Sequence, residues 1–312
     1  MIITLTVNPA IDRILTVDRL VFEDRAYIRS SSESAGGRGI NAAAVIHSFG
    51  GSALAVLPSG GASGKRLESY LQCAGYSVLI VPIGNEIRTN LTITDKYGLT
   101  VNLNEAGPVI QASELERLEA AVHDQIRNGS AARWLMLCGS TPPGVPSDFY
   151  ARLIALAHRY EVKTLLDADG DPLREGIEAR PTVVSPNQQE SERLLNRALL
   201  TRTHYLDAAQ RIREMGVESV VLSLGSRGAV GAFPSGLVEA LPPRIDAVSP
   251  IGAGDALAAA FTWAMEHNSD YLDALRWGVA TGTASARLPG LQLASLEQAK
   301  EIYPQVELRR VE

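Results

Sequence analysis

Short apolar segments rich in β-branched residues alternate with segments of helical spacing along most of this 312-residue chain. The apolar segments are too short for buried helices, and their nearly unbroken apolar character is typical of strands that are covered on both faces. The alternation predicts an α/β fold, with a mostly parallel sheet and helices on both faces. The predicted strands are 2–7, 53–57, 78–81, 134–138, 162–167, 182–185 and 219–223. The predicted helices are 39–49, 64–74, 113–127, 147–160, 204–215, 253–266, 271–287 and a shorter one from Ser295.

Two segments interrupt this alternation. Residues 14–29 and 88–104 contain short alternating strands without helices, the second with a turn at 95–98. We interpret them as a small β-sheet lid. The lid is placed at 13–29 and 87–104, and the α/β core at 1–12, 30–86 and 105–312.

Charge and cysteine content exclude several classes of protein. The chain has 29 basic and 35 acidic side chains, a net charge of −6, which argues against nucleic acid as a partner. Cys73 and Cys138 are too few for a disulfide framework or a zinc site. No segment has the composition of a membrane span, and the first residues lack the basic start of a signal peptide. We expect a cytoplasmic protein with no membrane partner.

The motif Gly252-Ala253-Gly254-Asp255 opens a predicted helix after a break at Pro250. Small residues allow main-chain N–H groups to approach an anion, and the helix dipole favours negative charge there. A carboxylate is electrostatically unfavourable beside a phosphate. Its presence is explained if Asp255 removes a proton from a hydroxyl that attacks the phosphate. The alternative is that Asp255 only complements the helix dipole.

A second glycine cluster, Gly36-Gly37-Arg38-Gly39, also opens a helix. Read from Gly37 it imitates a dinucleotide-binding fingerprint, but it follows a polar segment, and no acidic residue lies about twenty positions later. We interpret it as a helix N-terminus that a polar ligand approaches closely, with a plain structural turn as the alternative. Residues 60–66 imitate a P-loop, but Ser59 and Arg66 stand where a glycine and a Ser/Thr are required, so we expect a turn into a helix.

Further candidate residues lie near predicted strand ends. Asn187 and Glu190 are one helical turn apart and suit a hydrated Mg²⁺ and a phosphate, although Asn187 alone fits a helix cap. The turn 223–229 suits nucleotide phosphates or an ordinary hairpin. Arg88 fits either a solvated edge charge or a bidentate clamp on phosphate. Asp12 follows the first strand, where ligands bind in open α/β sheets, or it only ends that strand.

Together these motifs resemble the ribokinase-like (PfkB) sugar kinases, more closely their 1-phosphofructokinase and tagatose-6-phosphate kinase branch. The resemblance covers nearly the whole chain and depends on nine motifs in the family's order. They lie at 4–12, 36–41, 88–90, 102–108, 139–145, 186–190, 223–229, 252–255 and 278–284. The resemblance implies a Rossmann-like core, a β-sheet lid and a homodimer formed through the lids.

The resemblance also implies roles for individual residues and, as cofactors, ATP and Mg²⁺. Asp255 would be the catalytic base, and Gly252, Ala253 and Gly254 would form the anion hole for the transferred phosphoryl group. The residues implied for the sugar are Asp12, Gly36, Gly37 and Asn41, with Arg88 for its existing phosphate. The residues implied for the nucleotide and magnesium are Asn187, Ser223, Gly225, Gly228 and, at the metal, Glu190.

The chain departs from the family pattern at three positions, of which Ser185 and Arg38 bear on the phosphate contacts and therefore on the substrate. Ser249 replaces an Asn or Asp, Ser185 replaces a lysine, and Arg38 replaces a lysine or glycine. The expected function is ATP-dependent phosphorylation of a ketohexose monophosphate, with fructose 1-phosphate as the first candidate. Tagatose 6-phosphate and fructose 6-phosphate are the alternatives within this class. A nicotinamide-dependent oxidoreductase and a non-catalytic sugar-phosphate sensor are the alternatives from other functional classes.

Overall fold

The computed structural model describes residues 1–21, 23–128 and 132–311, and its centre is a ten-stranded sheet. The order of its strands is β14-β13-β12-β11-β10-β9-β8-β1-β4-β5. Those from β5 to β11 are parallel, and β11 to β14 pair in antiparallel fashion. The bounds are β1 Ile2–Thr6, β4 Ala53–Ser59, β5 Ser77–Pro82, β8 Trp134–Cys138, β9 Lys163–Asp167, β10 Val183–Val184, β11 Ser219–Ser223, β12 Ala229–Phe233, β13 Gly236–Leu241 and β14 Glu307–Arg310.

Helices cover this sheet. All five residues of β1, β8 and β12 are buried, as expected for strands packed on both faces. The helix α1 packs on β1 and contacts α8, which packs along α9. The helices are α1 Arg38–Ser48, α2 Gly61–Gln72, α3 Ala112–Asn128, α4 Phe149–Arg159, α5 Gly170–Glu178, α6 Gln188–Leu195, α7 Arg202–Glu214, α8 Ala253–Glu266, α9 Tyr271–Ala286 and α10 Leu296–Ile302. The predicted fold class, an α/β protein with a mostly parallel sheet, is confirmed.

Local sequence explains where several helices begin. In α6, the Asn187 side chain accepts a hydrogen bond from the Glu190 N–H, and the Glu190 carboxylate accepts one from the Asn187 N–H. The same reciprocal cap starts α10, between Ser295 and Gln298. Each pair satisfies backbone donors that the first turn of a helix leaves free.

The antiparallel extension β12–β14 was not predicted. The sequence of β12 is short and rich in small residues, and β13 and β14 carry charged residues, so none of the three shows the β-branched run or the alternation that marks a strand. The turn 223–229 connects β11 to β12, so it is the hairpin that the sequence allowed.

A separate four-stranded sheet has the order β3-β2-β6-β7, with β2 Ala10–Val17, β3 Ile28–Gly36, β6 Arg88–Asp95 and β7 Thr100–Asn104. Its strands extend past the predicted lid, because β2 begins at Ala10 and β3 continues to Gly36, inside segments assigned to the core. The serine-rich part of β3 is exposed, so no apolar alternation marks it in the sequence. Phe22, within the predicted lid, lies outside the described residues.

Within the described ranges, none of the helices combines the length and apolar character needed to cross a bilayer.

Candidate active site

A cavity of about 500 Å³ lies between the two sheets. Thr6, Cys138 and Asp169 line it at or just beyond the carboxyl ends of β1, β8 and β9, where ligands bind in open α/β sheets. Asn90, Asn102 and Asn104 contribute the wall formed by the four-stranded sheet. Of the residues predicted for the site, the cavity is lined by Asp12, Gly37, Asn41, Arg88, Gly252 and Asp255. Chain segments far apart in sequence therefore meet at one polar cavity.

Asp255 lies in the first turn of α8, and its carboxylate faces the cavity. Gly252 precedes the helix with a positive φ of 76°, a backbone conformation that glycine adopts without strain. The Asn41 side chain of α1 donates a hydrogen bond of 2.7 Å to Asp255 Oδ2. Burial, together with the negative charge of Asp167, raises the pKa of Asp255 to about 6, although Arg38 and Asn41 oppose the rise. Asp255 is thus a carboxylate with the basicity that general base catalysis near neutral pH requires.

Arg38, the first residue of α1, joins two buried carboxylates. Its guanidinium donates hydrogen bonds of 2.6 Å to Asp167 Oδ1 and 2.8 Å to Glu190 Oε1. The charge of Asp167, followed by that of Glu190, raises the pKa of Arg38 well above its ordinary value against the effect of burial. Arg38 also lines the cavity and therefore supplies a fixed positive charge near Asp255. The sequence marked Arg38 only as a departure and did not identify Asp167.

Asp12 lies on β2 of the four-stranded sheet, and its carboxylate lies beside the second glycine cluster. Asp12 Oδ1 accepts a hydrogen bond of 2.8 Å from the Asn90 side chain, and burial raises the pKa of Asp12. A Cβ at Gly36 would lie 2.3 Å from the carboxylate of Asp12, so any larger residue there would displace that carboxylate. Gly36 lies at the end of β3 and Gly37 caps α1, which agrees with a helix N-terminus built for close approach.

Arg88 begins β6 and lines the cavity on its other side. Its guanidinium donates to the carbonyl of Asn8 at 2.9 Å and to that of Glu105 at 3.1 Å. These carbonyls belong to two of the segments that connect the sheets. Burial lowers the pKa of Arg88, which remains a cation near neutral pH. The Nε of Arg88 is buried and has no hydrogen-bond partner among the described residues.

The remaining predicted residues lie outside the cavity lining. Ala253 and Gly254 continue the first turn of α8 behind Gly252. Asn187 and Ser223 face each other across an isolated parallel bridge, and the turn that contains Gly225 and Gly228 follows Ser223. The structure therefore groups Asn187, Ser223, Gly225 and Gly228 in one neighbourhood, separate from the residues that line the cavity.

Glu190, predicted at the metal, is 2% exposed, and both of its carboxylate oxygens accept hydrogen bonds. Oε1 binds Arg38, and Oε2 accepts from the Asn187 N–H at 2.8 Å. Among the described residues, no group of three or more His, Cys, Asp or Glu side chains could hold a metal ion. Mg²⁺ usually keeps several waters and takes one or two carboxylates together with substrate phosphates. Glu190 offers no free oxygen as a direct ligand, so the described residues fit only an ion that keeps its waters and is held mainly by substrate phosphates.

The P-loop-like segment at 60–66 is a turn into a helix, as predicted. The helix α2 begins at Gly61, and the Glu86 carboxylate accepts hydrogen bonds of 2.7 Å from both the N–H and the hydroxyl of Ser63. An internal carboxylate thus occupies the position at which a P-loop would hold phosphate.

Comparison with known proteins assigns the chain to a family. The sequence profile of pfkB family carbohydrate kinases matches residues 3–299. The chain belongs to the pfkB family of carbohydrate kinases. It is 32% identical to the ATP-dependent 6-phosphofructokinase isozyme 2 of Escherichia coli, over 97% of each chain. It is 30% identical to the 1-phosphofructokinase of Borreliella burgdorferi, over 100% of this chain and 99% of the other. It is 29% identical to the tagatose-6-phosphate kinase of Staphylococcus epidermidis, over the full length of both.

Solved structures agree with this assignment. The tetrameric inhibited form of phosphofructokinase-2 from Escherichia coli superposes with a TM-score of 0.89 at 30% identity, covering 97% of this chain and 98% of that one. Ribokinase from Arabidopsis thaliana gives a TM-score of 0.77 at 19% identity, with the same coverage, and supports the ribokinase-like fold alone. This pfkB protein is therefore a sugar-phosphate kinase with ATP as the phosphoryl donor.

Proposed function

We propose that this kinase phosphorylates a ketohexose monophosphate to the bisphosphate, with fructose 1-phosphate as the first candidate. The observation that carries the proposal is the position of Asp255. It lies in the first turn of α8, receives a hydrogen bond from Asn41 and has a pKa raised to about 6. Asp255 removes the proton from the attacking hydroxyl, and the N-terminal turn at Gly252, Ala253 and Gly254 stabilises charge on the transferred phosphoryl group.

The proposal assigns the sugar to Asp12, Gly36, Gly37 and Asn41. The Asp12 carboxylate and the Asn41 and Asn90 amides offer acceptors and donors suited to hydroxyl groups. Arg88 holds the phosphate that the substrate already carries, because it is a cation in the cavity lining whose guanidinium is fixed by two carbonyls. The four-stranded sheet acts as the lid that excludes water from the reaction.

The nucleotide is assigned to Asn187, Ser223, Gly225 and Gly228. Mg²⁺ when bound would neutralise charge on the nucleotide phosphates. Glu190 would approach such a hydrated ion only through its waters, since both of its oxygens are already engaged. Arg38 contributes a second, fixed positive charge.

Coupled ADP release, measured with ATP and Mg²⁺, tests the substrate. The panel holds fructose 1-phosphate, fructose 6-phosphate, tagatose 6-phosphate, free fructose and adenosine, with Asp255→Ala as the control. The expected result is activity on fructose 1-phosphate that the control lacks. Higher kcat/KM on either 6-phosphate would replace the named substrate and leave the reaction class standing. Binding of a sugar phosphate without ADP release would favour a sensor.

The dependence of kcat/KM on pH provides a second test. Because the base acts only when ionised, we expect kcat/KM to fall as the pH decreases through about 6, the pKa of Asp255. The groups that set this value are Asp167 and Asp12, which raise it, and Arg38 and Asn41, which lower it.

The substrate phosphate also ionises near this pH, so a control is required. Asn41→Ala removes the hydrogen bond that favours the ionised form of Asp255, and the acidic limb should move to higher pH. The ionisation of the substrate is the same with both enzymes. A limb that stays in place in Asn41→Ala would argue against Asp255 as its source.

We also propose that two copies of the chain associate through their lids. Five large apolar side chains, on the edge strands β3 and β7, just before β3 or in the turn between β6 and β7, are each at least 50% exposed: Tyr27, Ile28, Tyr97, Leu99 and Leu103. Exposed apolar side chains along the edges of a small sheet fit an interface better than a solvated surface.

Light scattering should give a mass of twice the 33.4 kDa chain. Leu103→Asp should reduce the mass to that of one chain, because it places a charge inside the interface. Tyr70→Asp, at an exposed position on α2, is the matched control and should not change the mass. A wild-type protein that is monomeric, or a Leu103→Asp variant that stays dimeric, would contradict the proposal.

A further inference from the structure

Two chain segments assigned to the nucleotide are connected to each other by few contacts. The first contains the start of α6 at Gln188, and the second is the turn 224–228 after β11. The Ser223 N–H donates to the Pro186 carbonyl at 3.0 Å, and one parallel bridge joins Asn187 to Ser223. These are the last backbone contacts that connect β11 to the start of α6. Any connection between the turn and α6 must therefore come from side chains.

Arg227 makes that contact. Its guanidinium donates to the hydroxyl of Tyr205 at 2.6 Å and, through its other terminal nitrogen, to the side-chain carbonyl of Gln188. The guanidinium also lies over the Tyr205 ring, 4.7 Å from the centroid. Tyr205 is a buried residue of α7, so it offers a rigid support.

Gln188 is itself held in one orientation. Its amide nitrogen donates to the Leu199 carbonyl at 2.9 Å and to Glu192 at 3.0 Å, so its carbonyl oxygen points to Arg227. Arg227 therefore joins the turn to α6 and α7 through one planar group that has two partners on different elements.

Backbone hydrogen bonds inside the turn set its shape: the Gly228 N–H donates to the Gly225 carbonyl at 3.0 Å, and the Arg227 N–H donates to the Leu224 carbonyl at 3.3 Å. Gly225 has a φ of +61° and no atom within 4 Å of a Cβ placed there, whereas Gly228 lies against the Ala240 carbonyl. The Leu224 N–H donates to the Gly228 carbonyl at 2.8 Å, which closes the turn but does not connect it to α6. The backbone of Gly225 thus faces open space, whereas the Arg227 side chain connects the turn to α6 and α7.

We infer that Arg227 is a positioning residue for the nucleotide. It holds the turn 224–228 against α6, so that the backbone near Gly225 and the segment at Asn187 keep the separation that ATP requires. Arg227 does not touch the transferred group. The inference rests on the proposed assignment of ATP to this neighbourhood.

The test compares nucleotide and sugar binding in the intact enzyme. Arg227→Ala should raise the Kd of a non-hydrolysable ATP analogue with Mg²⁺ about tenfold, which corresponds to 1.4 kcal/mol of binding free energy. The Kd is measured by calorimetry in the absence of sugar. The KM for ATP should rise in parallel, and the KM for the sugar phosphate should stay within about twofold, the scatter expected of an uncoupled site. Arg159→Ala, at an exposed position at the end of α4, is the control and should bind like the wild type.

Two further variants separate positioning from general stability. Arg227→Lys keeps the charge but cannot reach both partners with a planar fork, so an intermediate Kd is expected. Gln188→Ala should weaken nucleotide binding, and combining it with Arg227→Ala should add little, because both changes break the same contact.

Each outcome decides the inference. If wild type binds the analogue and Arg227→Ala binds it equally, or if the Kd and both KM values change by the same factor, Arg227 is not a positioning residue. If Arg227→Ala does not fold, the Lys and Gln188 variants give the same decision. Wild type that binds no nucleotide would instead contradict the proposed ATP site.

Discussion

Asp255→Asn is expected to lower kcat about 10²- to 10⁴-fold, the range typical for loss of a general base. Asparagine has nearly the same shape and can still accept the hydrogen bond from Asn41, so the loss measures the missing basicity and little else. Steady-state ADP release at saturating ATP and sugar phosphate gives the number. A turnover within a few-fold of wild type would show that Asp255 is not the base.

The stability of the same variant controls for misfolding. The pKa of Asp255 is raised to about 6 from an ordinary value of 3.8, so the folded protein binds this proton more tightly than the unfolded chain does. Its ionisation therefore costs stability as the pH rises from about 4 to about 6, and the whole cost remains at higher pH. Asparagine removes that cost.

The melting temperature of Asp255→Asn should accordingly exceed that of wild type at pH 7.5. A gain of about 1 kcal/mol would raise Tm by about 1–2 °C, because the unfolding entropy of a 312-residue chain is large. The difference should shrink towards pH 4, where both proteins are neutral at this position. An inactive variant with a higher Tm is the pattern expected of a site in which a buried charge serves function at the expense of stability. A lower Tm would indicate damage to the fold.

Arg88→Ala is expected to raise the KM for the sugar phosphate about 10- to 100-fold, as loss of charge-assisted hydrogen bonds to a phosphate implies. The KM for ATP should change little, since the ATP residues lie in a different neighbourhood. Arg88→Lys keeps the charge without the fork and should fall between wild type and Arg88→Ala.

Arg88 also binds the carbonyls of Asn8 and Glu105, so its removal affects the connection between the two sheets. Two comparisons separate this effect from the loss of phosphate binding. Arg13→Ala removes an exposed arginine of the same sheet and should leave both KM values unchanged. Preference for fructose 1-phosphate over free fructose should collapse in Arg88→Ala. If both sugars lose kcat/KM equally, Arg88 acts on the sheet and not on phosphate.

The small sheet illustrates a limit of sequence interpretation. The turn at 95–98 was visible as a short polar segment between alternating strands, and Asp95 accepts the Tyr97 and Leu99 N–H groups there. The exposed half of β3 carries no apolar alternation, so its extent depends on pairing with β2, which a local pattern does not contain.

The sequence by itself determined the α/β fold, the helix start at Ala253, the start of α1 to within one residue, and the position of Asp255 in the first turn of its helix. These features depend on local periodicity, on glycines at positions whose backbone conformation other residues avoid, and on residue types at fixed spacing. All three can be recognised in one amino-acid sequence.

Only the tertiary structure decided which charges meet. Asp167 is the last residue of a predicted strand and Arg38 opens a helix more than a hundred residues earlier, yet they are joined at 2.6 Å. The raised pKa of Asp255 likewise depends on burial and on Asp167. Burial and through-space electrostatics depend on distances between segments remote in sequence, and no local pattern encodes those distances.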